Sequence, residues 1–384
     1  MDRVAIVGAG MTKFGHREAW IRELLAEAGR VALSDAGLAG TDVDHLYVSN
    51  MASGEFEGQT GVMNALASDL GAVPAYAQRI DQTSASGGAG VYAAWQSIAA
   101  GASDVTLLVG GEKMTHASTA DATDVIASVT HPLEYKHGLT LPSFAGLVAR
   151  SYLGTHDAPR SSLADVAVKN HRHAENNPNA HFQREVTREE ALESPIVADP
   201  LRLYDFCPIS DGSAGLVLTS EELAREWGLD YVTIAGIGGA TDTHVVHQRE
   251  DPTTMGGLVT AGERAFEMAD ADPEDVDVAE LHDMATILEV LQLEDLGFVE
   301  TGEGWKAART GLTTKTGGLP VNTSGGLKAR GHPLGATGIA QVYELYAQLL
   351  GRAEDRQIEA ETGLACNVGG FGNCVTTTIL EVPA

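Results

Sequence analysis

Four short stretches of this chain carry residue types able to do chemistry. Asp81-Gln82-Thr83-Ser84-Ala85-Ser86-Gly87-Gly88-Ala89-Gly90 follows an apolar run and opens a helix. Its small residues let a ligand approach the backbone, and a side chain at this turn meets the positive end of the helix dipole, worth about 0.3–1 kcal/mol to an anion. The stretch from Gly325 to Gly338 sets His332 between Gly331 and Pro333. That backbone restriction suits a base that must point one way. Glu280-Leu281-His282-Asp283-Met284-Ala285 stands where a strand ends, the edge at which α/β folds place ligands. Cys366-Asn367-Val368-Gly369-Gly370-Phe371-Gly372 runs from a strand into a glycine turn. Taken singly, each also reads as plain structure: a Ser/Gly-rich helix start, a loop histidine, a solvent-facing histidine and a structural turn.

Several look-alikes fail on spacing. Gly8-Ala9-Gly10-Met11-Thr12-Lys13 has Lys13 where a dinucleotide fingerprint needs its third glycine. Gly212-Ser213-Ala214-Gly215 has Asp211 where a nucleophile elbow needs its first. His171 with His173, and His244 with His247, have no Cys or third-ligand cluster beside them, so no metal site is expected. Asp121 and Asp124 read as helix-start or surface residues.

The elements that must position the four stretches come in two matched sets. Val4 to Val7 reads as a strand ending in Gly8-Ala9-Gly10, followed by a helical pattern from Ile21 to Leu33 and a strand entered at Asp42-Val43-Asp44. Tyr231 to Ala235, a helix from Gly262 to Ala269, and Asp275-Val276-Asp277 repeat that plan. The helix start at Gly88 is echoed at Gly335, and the strand end at Val109-Gly110-Gly111 at Val368-Gly369-Gly370. Matched elements in one order argue for an internal duplication, with halves at 1–225 and 226–384. Alternating strands and helices predict an α/β fold with mostly parallel sheets. Residues 115–199, rich in His, Asn and Pro, have no counterpart in the second half and read as an inserted loop region, which is usually functional.

Together the four stretches resemble the thiolase family over the whole chain. Gly110-Gly111-Glu112-Lys113-Met114-Thr115 resembles that family's Gly-Gly-x-Glu-x-Met segment. Lys169-Asn170-His171-Arg172-His173-Ala174-Glu175-Asn176-Asn177-Pro178, Asp205-Phe206-Cys207-Pro208-Ile209-Ser210-Asp211-Gly212 and the pair His282-Asp283 are similar to the sterol-carrier-protein type and its archaeal relatives, and the set Ser84, His282 and His332 resembles the site of haloarchaeal ketothiolases. The resemblance implies two duplicated βαβαβαββ halves in a five-layer αβαβα core, with an inserted loop domain. It implies an acetyl-CoA C-acyltransferase that condenses two acyl-CoA thioesters, or cleaves the product, through an acyl-enzyme. Such a reaction uses coenzyme A thioesters as substrates and no further cofactor. A homo-oligomer, dimer or tetramer, and a small zinc-ribbon/OB-fold partner subunit are further implications.

Departures from the family pattern fall on the residues that matter most. The family's nucleophilic Cys, three positions before a glycine, is replaced by Ser84 before Gly87, with Ser86 the rival. A serine hydroxyl is a far weaker nucleophile than a thiol of pKa near 8.5 and needs an adjacent base. The resemblance gives that role to His332, gives His282 the enolate oxygen, and gives the backbone N–H groups of Ser84 and Gly369 the oxyanion hole. The family's second Cys falls on Asn367, while Cys366 next to it points to the other side of a strand. The sterol-carrier type's alternative thiol falls on Met284. The α-proton base is left between His332 and His282, with Asn367 and Cys366 as secondary candidates. The missing thiols also leave open a retro-aldolase acting on a 3-hydroxyacyl-CoA, and a non-catalytic acyl-CoA-binding subunit. Lys136, Arg150, Arg160 and Lys169 are the loop-region bases available for CoA phosphates.

Composition limits the setting. Fifty-three acids against 25 bases give a net charge of −28, and only seven of the bases are Lys. The acids are dispersed, a pattern expected of a high-salt cytoplasm, where a Debye length of roughly 3 Å at 1 M screens self-repulsion. Nucleic acid is not an expected partner, since phosphate binding needs a basic face. Three Cys imply no disulfide framework, and no apolar run is long enough for a membrane span. The expected location is the cytoplasm.

Overall fold

A computed structural model describes residues 3–383. The first half contains β1 (Val4–Met11), α1 (Ile21–Asp35), β2 (His45–Ser49), α2 (Ser53–Glu57), α3 (Val62–Leu70), β3 (Tyr76–Ile80), α4 (Ser86–Ala99) and β4 (Thr106–Glu112). The insertion follows, with α5 (Thr119–Ala127), α6 (Pro132–Lys136), α7 (Leu141–Thr155), α8 (Ser161–Ala174), α9 (Arg188–Glu193) and the hairpin β5 (Ile196–Ala198)–β6 (Leu201–Arg202). β7 (Gly212–Ser220) and α10 (Glu221–Trp227) close this half, so position 225 falls inside a helix. The second half has β8 (Val232–Thr241), α11 (Gly256–Ala269), β9 (Val278–Glu280), α12 (Thr286–Asp295), α13 (Gly304–Thr310), α14 (Gly326–Arg330), α15 (Thr337–Leu349), β10 (Thr362–Gly369) and β11 (Cys374–Glu381).

The duplication is visible in strand order. The sheet runs β3-β2-β4-β7-β1-β8-β11-β10-β9, so the second half mirrors the first about the β1–β8 pair. The counterpart of β3 is reduced to a single bridge at Val321, beside Ala279. β1 and β8 pair antiparallel from Val4↔Ile234 to Ile6↔Val232 and join the half-sheets into one. α4 and α15 pack on each other and touch strands of both halves, while α1 covers the first half-sheet from outside and α11 the second. That is the five-layer αβαβα arrangement of the thiolase fold.

Three details depart from the expectations. The sheet is mixed rather than mostly parallel. β2 runs parallel to β3 and β4, and β9 to β10, but β7 and β11 return antiparallel beside β4 and β10. β11 follows β10 through a four-residue hairpin, with no crossover helix to restore direction. The inserted region is mainly helical, not loop: its apolar residues Phe144, Ala145, Val148, Ala149 and Tyr152 recur at helical spacing and join the second-half core. Finally, Gly8 and Gly10 do not end β1 but lie within it. A Cβ on them would stand 2.5 Å from the backbone of α1, and Gly236 and Gly238 of β8 meet α11 at 2.1 and 2.0 Å. The glycines permit helix-on-sheet contact at a distance no side chain allows.

A buried ion pair anchors the insertion at its base. Lys113 Nζ lies 2.7 Å from Asp211 Oδ2, both side chains fully buried, and Asp211 also accepts from the Met114 and Thr115 amides. The two ends of the insertion are thereby held together beside the end of β4.

Candidate active site

The duplication brings the four stretches to one place. Ser84 sits in the turn between β3 and α4, His332 in the equivalent turn before α15, and α4 packs on α15. His282 follows β9, and Asn367 lies in β10 facing α4. All four side chains are buried, at 2–7% exposure.

Ser84 is presented by strain. Thr83 before it has φ +54°, a conformation rarely tolerated by a β-branched residue and worth about 1–3 kcal/mol. Ser84 Oγ accepts from the Gly370 amide at 3.3 Å. The donor facing the hydroxyl is therefore Gly370, one residue beyond Gly369. Ser86 is committed elsewhere, accepting from the Gln82 amide at 2.8 Å and donating to the Thr83 carbonyl at 2.6 Å. It staples the turn.

The hydrogen bonds fix the tautomers of both histidines. The Val368 amide can only donate, and it reaches His282 Nδ1 at 3.3 Å. Asn367 Oδ1 accepts from the Gly88 amide at 2.9 Å, so its Nδ2 is the group that meets His282 Nδ1 at 3.1 Å and the Ser84 carbonyl at 3.3 Å. His282 Nδ1 is thus an acceptor and its proton resides on Nε2. In His332 the assignment reverses. Thr337 Oγ1 donates its one proton to the Pro333 carbonyl at 2.9 Å, so at 2.6 Å from His332 Nδ1 it must accept. His332 carries its proton on Nδ1 and keeps a lone pair on Nε2. The rings meet edge to face with centroids 5.0 Å apart. Burial, with Arg330 adding repulsion, pushes the His332 pKa down to about 3. Burial and His332 together hold that of His282 well below its ordinary value. Both rings are neutral near pH 7, one as donor and one as base.

A polar shell fixes this pair. Gln292 accepts from the His282 amide and donates to its carbonyl. Asp283 accepts from the Leu327 amide at 2.6 Å and from Asn170 Nδ2 at 2.7 Å, tying α14 and α8 to the strand end. Glu112 accepts from the Met51, Ala52 and Gly335 amides and so anchors the His332 turn to the first half.

The remaining candidates separate cleanly. Cys366 is fully buried in the second-half core on the face of β10 opposite Asn367, and its thiol pKa is raised by burial. Met284 is buried in the same core. Lys169 is internal, paired with Glu289 at 2.9 Å, and Arg160 is paired with Asp205, so both are consumed by structure. Arg150 pairs with Asp199 and remains exposed. His171 Nδ1 donates to the Arg184 carbonyl and His173 Nδ1 to the Asn322 carbonyl, while His247 meets Glu134.

Sequence reading missed a cavity of about 950 Å³ between the insertion and the 246–252 segment. Leu133, Phe144, Leu147 and Arg249 line it. It reaches the site through Phe144, whose ring packs on Phe371 at 4.7 Å, one residue past Gly370. Arg249 holds the Phe371 carbonyl at 2.6 Å while its buried Nε has no partner among the described residues. The size of the insertion was the only signal for it. No helix among the described residues is long and apolar enough to cross a membrane.

Comparison with known proteins agrees with this architecture. Residues 4–222 match the family model "Thiolase, N-terminal domain", and residues 238–382 match "Thiolase C-terminal domain-like". The chain is 42% identical to the acetyl-CoA acetyltransferase of Methanothermobacter thermautotrophicus, covering 99% of this chain and 100% of the relative. It is 41% identical to the acetyl-CoA acetyltransferase of Methanocaldococcus jannaschii, covering 99% of both. Among solved structures, the "Ltp2-ChsH2(DUF35) aldolase" superposes with a TM-score of 0.86 at 26% identity, covering 99% of this chain and 98% of that one. The chain belongs to the thiolase family.

Proposed function

We propose that this chain is an acetyl-CoA C-acyltransferase working through an acyl ester on Ser84. The opposed tautomers of His282 and His332 carry the proposal. His332 Nε2 takes the Ser84 proton as Oγ attacks the thioester carbonyl. The oxyanion is assigned to the backbone N–H groups of Ser84 and Gly369, with the Gly370 amide on the attacking Oγ itself, and the departing CoA thiolate takes the proton from His332. A second acetyl-CoA then loses its α-proton to the same Nε2, the only free ring lone pair of the pair. His282 Nε2–H holds the enolate oxygen. Attack on the ester releases the 3-ketoacyl-CoA, and the Ser84 oxygen recovers its proton from His332. The large cavity is the CoA cleft of this reading, with Arg249 and the neighbouring Lys136 as its phosphate contacts; its volume suits a cofactor-sized ligand.

The test is CoA-dependent cleavage of acetoacetyl-CoA by purified protein in concentrated salt. Ser84→Ala is expected to lower kcat on the order of 10³-fold or more. Equal activity of variant and parent would remove Ser84 from the mechanism. The aldolase reading is favoured by the hydroxyl in place of a thiol and by the aldolase superposition. Mass spectrometry after incubation with acetyl-CoA separates the two, because only the thiolase route adds an acetyl group to the Ser84 peptide.

The assembly reading is a homo-oligomer formed through the edge strand β3, where Tyr76 and neighbouring Val73 are exposed at 57% and 65%. A zinc-ribbon/OB-fold partner is proposed beside it, on the precedent of the DUF35 subunit in the aldolase. The working setting is a saline cytoplasm, in keeping with the charge of −28 and three free Cys among the described residues.

A further inference from the structure

A second concave site lies away from the His282–His332 pair, between α8, the end of α13 and the turn at 314–316. It is about 440 Å³ in volume. Eleven residues line it, and Lys169, Arg172, Arg188, Arg309 and Lys315 are among them. These are five of the 25 bases in a chain with 53 acids; Lys169 is held internally by Glu289, which leaves four to face a ligand. The one lining carboxylate is Asp165, which accepts from Arg188 Nε at 2.6 Å and leaves that guanidinium's outer nitrogens free. Arg172 likewise uses only Nε, on Glu185. Arg309 and Lys315 have no carboxylate partner among the described residues; Lys315 Nζ donates to the Asp355 carbonyl. An acidic protein whose acids outnumber its bases two to one has left this pocket positive.

We infer that this pocket binds an oligophosphate group of a small ligand. Several convergent cations are more charge than one carboxylate would need, and guanidinium forks match phosphate oxygens two at a time. The hydroxyls of Thr314 and Thr316 supply further donors. The pocket floor is wired towards the site: the Lys315 amide donates to His173 Nε2, His173 Nδ1 to the Asn322 carbonyl, and Asn322 Oδ1 accepts from Leu281, the neighbour of His282.

Calorimetry with inorganic pyrophosphate on the full chain tests this without depending on turnover, so its failure leaves the acyltransferase reading standing. The parent protein is expected to bind saturably. Arg172→Ala/Arg309→Ala is expected to weaken binding about tenfold or more, with thermal stability little changed because both side chains face solvent. Arg309→Glu alone should also weaken it, and Arg22→Ala, on a distant face, should not. Absence of saturable binding, or equal affinity in all four proteins, would overturn the inference. Acetyl-CoA and its 3′-dephospho form identify the ligand's source. A raised KM for acetyl-CoA alone in the double variant assigns the pocket to the substrate's own phosphates. Unchanged KM values in the double variant, with its pyrophosphate binding weakened as expected, assign it to a separate phosphorylated ligand.

Discussion

Asn367, which the family resemblance sets at the place of a proton-moving thiol, fixes where a proton sits on its neighbour. Its amide nitrogen joins the Val368 amide in holding His282 Nδ1 as an acceptor, which leaves Nε2–H to donate. Asn367→Leu removes that control. The expected result is a fall in kcat on the order of 10²-fold with KM little moved, read from steady-state acetoacetyl-CoA cleavage; a change confined to KM would contradict the role. The pH profile bears on the partner histidine. A base whose pKa is about 3 is already unprotonated at pH 5. The acid limb of kcat is therefore expected to stay flat from pH 8 to about 5, and an inflection near 6.5 would mean that His332 titrates as an ordinary histidine. The identities of these residues were legible in sequence because motif spacing marked them. Their tautomers were not, since those depend on the Gly88 amide and the Pro333 carbonyl, groups with no signature in residue type.

Between elements, the decisive feature is how closely α4 and α15 approach. A Cβ on Gly338 would stand 2.3 Å from the Gly88 nitrogen and 2.4 Å from Asn367 Oδ1, and one on Gly87 2.6 Å from the Gly338 nitrogen. This contact holds the turns that carry Ser84 and His332, from separate halves, beside one another. Gly338→Ala must push the helices apart, costing about 1–3 kcal/mol or more, together with activity. Gly154, exposed near the end of α7 with open space at its Cβ position, gives the opposite sign: Gly154→Ala is expected to stabilise by about 0.5–1 kcal/mol. Thermal melts of the two variants check both. The element pattern explains what could be read beforehand. Helix starts at α4 and α15 and the repeated Asp-Val-Asp entries betrayed the duplication, because local turn chemistry repeats with it. Sheet direction did not show, because whether β7 and β11 return parallel or antiparallel is settled by connection and pairing partners, not by apolar runs. Gly8 and Gly10 misled for a related reason: glycine marks a turn or a close approach, and only the position of α1 decides between them.

At the scale of the molecule, two sets of buried ionisable groups oppose each other in their response to acid. His171, His173 and His332 have pKa values lowered to about 3, chiefly by burial, and His282 is also held low. Each binds a proton more readily when unfolded, so each subtracts stability as pH falls from about 6.5 towards 3. Burial raises Glu112, Glu280 and Asp295 to about 7 and Asp283 to about 6. These hold protons more readily when folded, so they add stability as pH falls from about 7 towards the ordinary carboxylate value near 4 to 4.5. The two responses offset one another between roughly pH 6.5 and 4.5. Below that the unfolded carboxylates take up protons of their own, and the stability these groups add levels off through about pH 4 to 3. The histidines still resist protonation, each at about 1.4 kcal/mol per pH unit. Asp211, held below its ordinary value chiefly by hydrogen bonds from Lys113 and Thr115 that outweigh its burial, adds loss of the same sign. The expected stability curve at fixed high salt is therefore nearly level from pH 6.5 to 4.5 and falls steeply below about 4.5. Chemical denaturation at half-unit pH intervals measures it, and a steady decline beginning at pH 6.5 would show that the buried carboxylates are ionised in the fold and that the histidines act unopposed.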